Sequence, residues 1–235
     1  MSHEPATETT YAGNVSDPSG AGISELAANS KTSGATLIIG CVRNRDGLCY
    51  NSAVVADPLK GCLGFYDKCF LVPWSEFQPW RLPGMELDQH PFTPGSSRPS
   101  FSVADFTCGV SICYDACFDR SSRGYSPTPD FFVACSRETS DPTGYIRRAM
   151  LDMTRFRAVE SRRAFVRNVE DGFSGIVSST GEFTPAPEQP WSAPISVGPV
   201  PIDRRKTLYH WAGNWLPYMC VGIVGLALVR SRRRN

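Results

Sequence analysis

The sequence lacks the features of several common protein classes. The net charge of its 235 residues is +1 at pH 7, so there is no broad basic surface and we expect no nucleic-acid partner. The nine cysteines form no Cys-x-x-Cys pair and there are three histidines, so zinc-site spacing is missing, and we predict neither a metal nor a cofactor. Residues 1–22 show no basic region followed by an apolar stretch, so we expect no signal peptide in them.

The remaining composition is that of one large globular domain with a mixed sheet. Residues 23–34 have the pattern of a short helix ended by Gly34, and residues 35–43 that of a buried strand. Asp46-Gly47 then predicts the turn of a hairpin. Since helix and strand alternate before paired strands appear, we predict an α/β fold rather than a pure βαβ array.

A cysteine lies where a short apolar strand changes into a polar turn. In GVSICYDACF, residues 109–118, this residue is Cys113. A thiol at the carboxyl end of a strand is well placed for nucleophilic chemistry. The alternative is a buried structural cysteine, because free cysteines are among the most buried residues. We take Cys113 as the candidate nucleophile.

A lysine and a glutamate form a second notable group. Lys68 lies in a strand-like apolar run, where a charge is costly unless it is paired or used. Glu76 follows eight residues later in an aromatic-rich loop. The alternatives are an edge-strand lysine that faces water and a solvated loop acid.

The C-terminal segment is apolar and ends in arginines. Residues 208–229 contain no acidic residue, lysine or arginine, and four arginines follow in residues 230–235. This pattern predicts a transmembrane helix with a cytoplasmic C-terminus, so that the preceding domain lies on the extracytoplasmic side. A buried core helix is the alternative. With no export signal upstream, we expect the chain to be the C-terminal part of a longer membrane protein.

The motifs resemble those of the nitrilase (carbon–nitrogen hydrolase) superfamily. Residues 66–80 are similar to its lysine motif, residues 109–118 to its cysteine motif, and residues 155–183 to its later helix and two strands. The C-terminal apolar segment points to the apolipoprotein N-acyltransferases of the bacterial envelope. In ACSRETSD, residues 134–141, the sequence departs from the family pattern, which affects the floor of the substrate pocket.

The resemblance implies a four-layer αββα sandwich over residues 23–203, after a truncated first motif in residues 1–22. It also implies a Glu–Lys–Cys triad without metal, which we assign to Glu8, Lys68 and Cys113. Supporting roles fall on Glu76, Tyr114 and Asp115. The family usually has Cys-Tyr-Glu at residues 113–115, so Asp115 is a conservative departure from its pattern. Locally, Glu8 also fits a solvated loop acid.

The chemistry implied is acyl transfer through a cysteine thioester. Glu8 would act as the general base, Cys113 would attack an ester, and Lys68 with a backbone N–H near Tyr114 would stabilise the oxyanion. By resemblance, the acyl donor is a membrane phospholipid, the acceptor is the N-terminal amine of a diacylglyceryl lipoprotein, and the location is the bacterial inner membrane. A small-amide amidase and a truncated non-catalytic remnant are the alternatives.

Overall fold

The structure, a computed structural model, describes residues 20–80, 91–138, 143–186, 198–213 and 215–232. Its first sheet is antiparallel and consists of β1 (Leu37–Arg45), β2 (Leu48–Asp57) and β3 (Gly61–Asp67). Asp46 and Gly47 have φ values of 54° and 75°, which suit a tight two-residue turn. The hairpin predicted at this dipeptide is confirmed.

The second sheet has six strands in chain order, and its central strands are parallel. They are β4 (Phe101–Val103), β5 (Phe106–Ile112), β6 (Phe131–Arg137), β7 (Ala164–Glu170), β8 (Gly175–Val177) and β9 (Phe183–Pro185). β5, β6 and β7 pair in parallel, and the outer pairs are antiparallel. The carboxyl ends of the three parallel strands therefore meet at one edge of the sheet.

The two sheets pack face to face, and a helix covers the outer face of each. Side chains alternate along β1, so Ile38 joins the core between the sheets while Leu37 and Ile39 pack in a cluster with Leu26. Leu26 belongs to the helix α1 (Gly20–Ser33). The helix α2 (Tyr145–Ser161) covers the other sheet. The layers thus run helix, sheet, sheet, helix, as predicted.

The helix α2 presents one buried stripe to the second sheet. Met150, Thr154, Ala158 and Ser161 are buried and recur at the spacing of one helical face. Ala158 packs in a cluster with aromatic and aliphatic side chains of the sheet, which are Phe132, Ala134, Phe165 and Val177. This packing holds the middle of α2 beside the carboxyl edge of β5 to β7.

The C-terminal segment differs from its prediction. Instead of one helix over residues 208–229, there are two, α3 (Leu208–Ala212) and α4 (Trp215–Arg232). The backbone of Gly213, with φ of 59°, ends α3, so Trp211 does not extend the apolar helix that follows. Within the described ranges, no helix is both long and apolar enough to cross a membrane. The predicted transmembrane helix is therefore not found.

Candidate active site

Cys113 lies directly after the last residue of β5. Its φ of 47° is left-handed, a conformation that costs a non-glycine residue on the order of 1 kcal/mol. The chain leaves the sheet here and enters a short 3-10 helix, Cys113–Cys117. The thiol is half-buried at the carboxyl edge of the parallel strands. The position agrees with the sequence analysis, and its catalytic role stays a prediction.

Asp115 holds this turn from inside. Its fully buried carboxylate accepts hydrogen bonds from the Tyr66 hydroxyl at 2.7 Å, from the Ile112 N–H at 2.9 Å and from the Phe70 N–H at 2.9 Å. Burial raises the pKa of Asp115, although these donors and the charge of Lys68 act to lower it. Burial, followed by the neighbouring Asp115 charge, raises the pKa of Tyr66 well above its ordinary value. The network ties β3 and the segment after it to the Cys113 turn.

Lys68 lies just beyond β3 and is 1 % exposed. Its backbone N–H donates to the Asn51 carbonyl at 2.8 Å, which keeps it beside β2. The ammonium Nζ donates to Glu76 Oε2 at 2.6 Å. The possibility of an edge lysine that faces water is therefore excluded.

Glu76 accepts three hydrogen bonds. Besides Lys68, its Oε2 accepts from the Val72 N–H at 2.7 Å, and its Oε1 accepts from Asn51 Nδ2 at 2.6 Å. Three donors on one mostly buried carboxylate fix both the acid and the lysine bonded to it. The geometry is that of a residue that orients Lys68, and the solvated-loop alternative is excluded.

The buried Lys68 and the cysteine turn interact electrostatically. The Lys68 charge acts on the carboxyl of Asp115 and on the thiol of Cys117. Burial raises the pKa of Cys117, and the Cys113 thiolate adds to that increase, while Arg157 and Lys68 oppose it. The cysteine turn and the buried lysine, 45 residues apart in sequence, therefore face the same site.

Aromatic rings line one side of the turn. The ring of Tyr114 meets Phe118 edge-on at 5.2 Å, and Phe118 stacks on Phe70 at 4.3 Å. Since Phe70 also bonds Asp115 through its backbone, these rings are fixed relative to the turn. The role of the backbone near Tyr114 in binding an oxyanion stays a prediction.

One residue named from sequence, the predicted general base Glu8, lies outside the described residues. The structure therefore describes two members of the predicted triad, Lys68 and Cys113, and the catalytic triad itself stays a prediction.

Sequence reasoning missed a second buried ion pair. Arg167 Nη2 donates to Glu138 Oε1 at 3.0 Å, and both side chains are 1 % exposed. Arg167 comes from β7, and Glu138 directly follows β6. The available signal was an arginine inside the apolar strand pattern of residues 164–169, the same signal that identified Lys68.

Neither a metal-binding cluster nor a disulfide is found among the described residues. In the part of the chain that the structure describes, no cluster of three or more His, Cys, Asp or Glu residues could hold a metal ion. All nine cysteines are free thiols. The described site thus consists of a thiol, a lysine and hydrogen-bonded carboxylates.

Comparison with known sequences gives a family match and named relatives. Residues 3–204 match the carbon-nitrogen hydrolase family. The apolipoprotein N-acyltransferase of Methylococcus capsulatus is 26 % identical over 231 residues, which cover 90 % of this chain and 43 % of the relative. That of Thermosynechococcus vestitus is 30 % identical over 179 residues, which cover 71 % of this chain and 34 % of the relative. The chain spans less than half the length of these relatives.

Solved structures share the fold. A carbon-nitrogen hydrolase from Helicobacter pylori superposes with a TM-score of 0.59 at 18 % identity, over 76 % of this chain and 65 % of that one. An amidase from a Nesterenkonia species gives a TM-score of 0.57 at 20 % identity, over 84 % and 73 % of the two chains. At these identities the likeness concerns the fold.

Proposed function

Because the chain belongs to the carbon–nitrogen hydrolase family, we propose that it is the catalytic part of an apolipoprotein N-acyltransferase. It transfers a fatty acyl chain from a phospholipid to the N-terminal amine of a lipoprotein, with Cys113 as the nucleophile. The observation that carries the proposal is the position of the half-buried Cys113 at the carboxyl edge of the parallel strands, in a turn that Asp115 ties by hydrogen bonds to Tyr66 and Phe70, on either side of the buried Lys68.

The first step forms the thioester. The Cys113 sulfur attacks the carbonyl carbon of the phospholipid ester, and its proton passes to the general base, which we propose to be Glu8. The carbonyl oxygen becomes an oxyanion, for which the Lys68 ammonium supplies charge and N–H donors, worth about 3 kcal/mol by analogy with oxyanion-hole donors. The ester C–O bond then breaks, and the lysophospholipid alkoxide leaves with the proton.

The second step transfers the acyl chain. The acceptor amine attacks the thioester carbon, an amide C–N bond forms, and the C–S bond breaks to return the Cys113 thiol. The amine loses its proton to the same base. Glu76, held by Asn51 and Val72, keeps Lys68 in place through both steps.

The choice of acyl transfer over hydrolysis rests on the relatives. The curated relatives are named apolipoprotein N-acyltransferase, and their alignments cover up to about nine-tenths of this chain. An amidase built on the same residues would use water as the acceptor. By family resemblance, the donor and acceptor are lipids of the bacterial inner membrane, where the enzyme would meet both.

The test is the intact mass of the full chain after incubation with a phosphatidylethanolamine in detergent. We expect a mass gain of one acyl chain that hydroxylamine removes and that a diacylglyceryl peptide amine discharges. Cys113→Ala should abolish the gain. Cys117→Ala is the matched control, because this second half-buried thiol lies in the same turn, and it should still acylate.

The outcomes separate the alternatives. No adduct on folded wild-type protein would overturn the acyltransferase proposal. Release of free fatty acid without transfer to the amine would instead favour the hydrolase. An adduct that persists in Cys113→Ala would place the nucleophile elsewhere.

A further inference from the structure

Arg98 is a cation near the site that the mechanism above does not use. It is half-buried, and its Nε is buried without a hydrogen-bond partner. Among the described residues, no carboxylate forms an ion pair with it. Buried polar atoms in folded proteins are almost always hydrogen-bonded, so an arginine in this state needs an explanation.

Backbone contacts place the segment that ends at Arg98 beside the lysine of the site. The Gly95 N–H donates to the Lys68 carbonyl at 2.8 Å. Further along, the Cys69 thiol donates to the Ser97 carbonyl at 3.7 Å. The two segments therefore run side by side, and Arg98 follows directly after the second contact.

The guanidinium of Arg98 lies over the first of three aromatic rings. Its Cζ is 5.5 Å from the centre of the Phe70 ring, which is a cation–π distance. Phe70 stacks on Phe118 at 4.3 Å, and Phe118 meets Tyr114 edge-on at 5.2 Å. The rings thus form a row that begins at Arg98 and ends at the residue after Cys113.

Hydrogen bonds and packing hold this row against the cysteine turn. The Phe70 N–H donates to Asp115 Oδ1 at 2.9 Å, and the Ile112 N–H donates to Asp115 Oδ2 at 2.9 Å. At the other end, a Cβ added to Gly124 would lie 3.3 Å from Arg98 Nη1, so the guanidinium packs close to the backbone there. The cation, the rings and the turn are therefore parts of one packed unit.

Two other arginines near the turn have carboxylate partners. Arg157 donates to Glu160 at 3.0 Å, and Arg123 donates to Asp119 at 2.9 Å. No described acid balances the charge of Arg98 in this way. Its N–H groups are therefore available to an anion that comes from outside the described chain.

The acyl donor of the proposed reaction carries such an anion. A guanidinium binds a phosphate group through two parallel charge-assisted hydrogen bonds. In a glycerophospholipid, one glycerol unit joins the phosphate to the ester carbonyls. The residue that binds the phosphate must therefore lie within a few side chains of the nucleophile, as Arg98 does.

We propose that Arg98 binds the phosphate group of the acyl donor and thereby selects a phospholipid over an uncharged ester. The row of rings between Arg98 and the cysteine turn supplies the apolar surface for the part of the donor between phosphate and ester. The inference rests on the proposed function, which supplies the donor, but binding can be measured without the reaction.

The first test measures protection of Cys113 from iodoacetamide, with the Cys113 peptide of the full chain followed by mass spectrometry. The ligand is a diether phosphatidylethanolamine in detergent, which has the phosphate but no ester to react. The reference is the diether glycerol without phosphate. The phosphate lipid should protect wild type at an about 10- to 100-fold lower concentration, because a charge-assisted bond is added.

Variants of Arg98 should remove this preference. Arg98→Met keeps a long side chain over Phe70 but loses the charge and the donors, so both lipids should protect it at the same concentration. Arg98→Lys keeps a charge without the paired donors, so about a third of the preference, on a logarithmic scale, should remain. Neither variant should change protection by the diether glycerol.

The matched control is Arg120→Met. Arg120 is an exposed arginine in the 3-10 helix Asp119–Ser122, which directly follows Phe118. Its loss removes the same charge close to the same turn but no contact with the rings. The preference for the phosphate lipid should stay as in wild type.

The second test uses the reaction. Acyl-enzyme formation from phosphatidylethanolamine should show an about 10- to 100-fold higher KM in Arg98→Met with little change in kcat. A p-nitrophenyl ester of the same acyl chain should react alike with wild type and variant. An effect of Arg98 on packing alone would slow both donors equally.

Three results would overturn the inference: equal protection of wild type by the two diether lipids, an unchanged preference in Arg98→Met, or an equal loss of protection by both lipids. If Arg98→Met does not fold, Arg98→Gln is judged by the same criteria. Protection by the phosphate lipid without acylation by phosphatidylethanolamine would reject the proposed function alone.

Discussion

Two buried ion pairs flank the Cys113 turn, and their hydrogen bonds are arranged in opposite ways. In the first pair the carboxylate has the larger set of partners, because Glu76 accepts from Lys68, Val72 and Asn51. In the second the cation has the larger set, because Arg167 donates to Phe173, Met150, Thr154 and Glu138.

The difference separates two kinds of buried cation. A lysine ammonium has three N–H groups, and within the described part of the chain Nζ of Lys68 has Glu76 as its one hydrogen-bond partner. It therefore keeps donors for a developing oxyanion. Arg167 has an acceptor on every nitrogen, four for its five N–H groups, so its guanidinium is held in place by the surrounding backbone and side chains.

Removal of each carboxylate tests the difference most strongly. Glu76→Ala leaves three donors without an acceptor, one of which is the buried Lys68 ammonium, so we expect the free energy of unfolding to fall by about 3–5 kcal/mol. Glu138→Ala orphans one side of a guanidinium that keeps three other acceptors, so the loss should be roughly 1–3 kcal/mol. Urea unfolding of the full chain measures both, and equal losses would contradict the comparison.

Removal of each cation gives the next largest effect. Lys68→Met should slow formation of the acyl-enzyme about 10²- to 10³-fold, because a donor to the oxyanion is lost. Arg167→Met removes no donor to the oxyanion, so it should slow acylation much less. Single-turnover mass spectrometry gives the rates.

The control for that experiment is Lys60→Met, because Lys60 is an exposed lysine in the turn between β2 and β3. It should acylate at the wild-type rate. If Lys68→Met did the same while folded, Lys68 would be structural, and the contrast between the two pairs would disappear.

Sequence alone predicted the part of the site that depends on local pattern. The strand that ends before Cys113, the lysine in an apolar run and the Asp46-Gly47 hairpin each follow from neighbours within a few residues. The layer order followed from the resemblance, and the alternation of buried side chains along β1 agrees with it.

The parts that were missed depend on long-range register or on one backbone angle. Glu138 and Arg167 are 29 residues apart, and they meet because β6 and β7 pair in parallel in one particular register. The C-terminal apolar run was predicted as one helix, whereas the positive φ of Gly213 divides it. Hydropathy does not encode either feature.

Cys135 lies near the same edge of the sheet as Cys113, but in apolar surroundings. Its removal gives the smallest of the expected effects. It pairs with Ile112, next to Cys113, but lies in the apolar core, where burial alone raises its pKa from 9.0 to about 12. The stabilisation that the protonated thiol gives the fold is complete below the pKa of the thiol in the unfolded state. It is lost as the pH rises toward the pKa in the folded state.

Each pH unit above 9.0 favours the unfolded thiolate by about 1.4 kcal/mol. Between about pH 8 and 10.5, the free energy of unfolding of wild type should therefore fall roughly 2 kcal/mol further than that of Cys135→Ala, in parallel urea titrations. An identical pH dependence in the two proteins would show that this thiol ionises in the folded state, and that burial beside the Cys113 turn does not by itself keep a cysteine protonated.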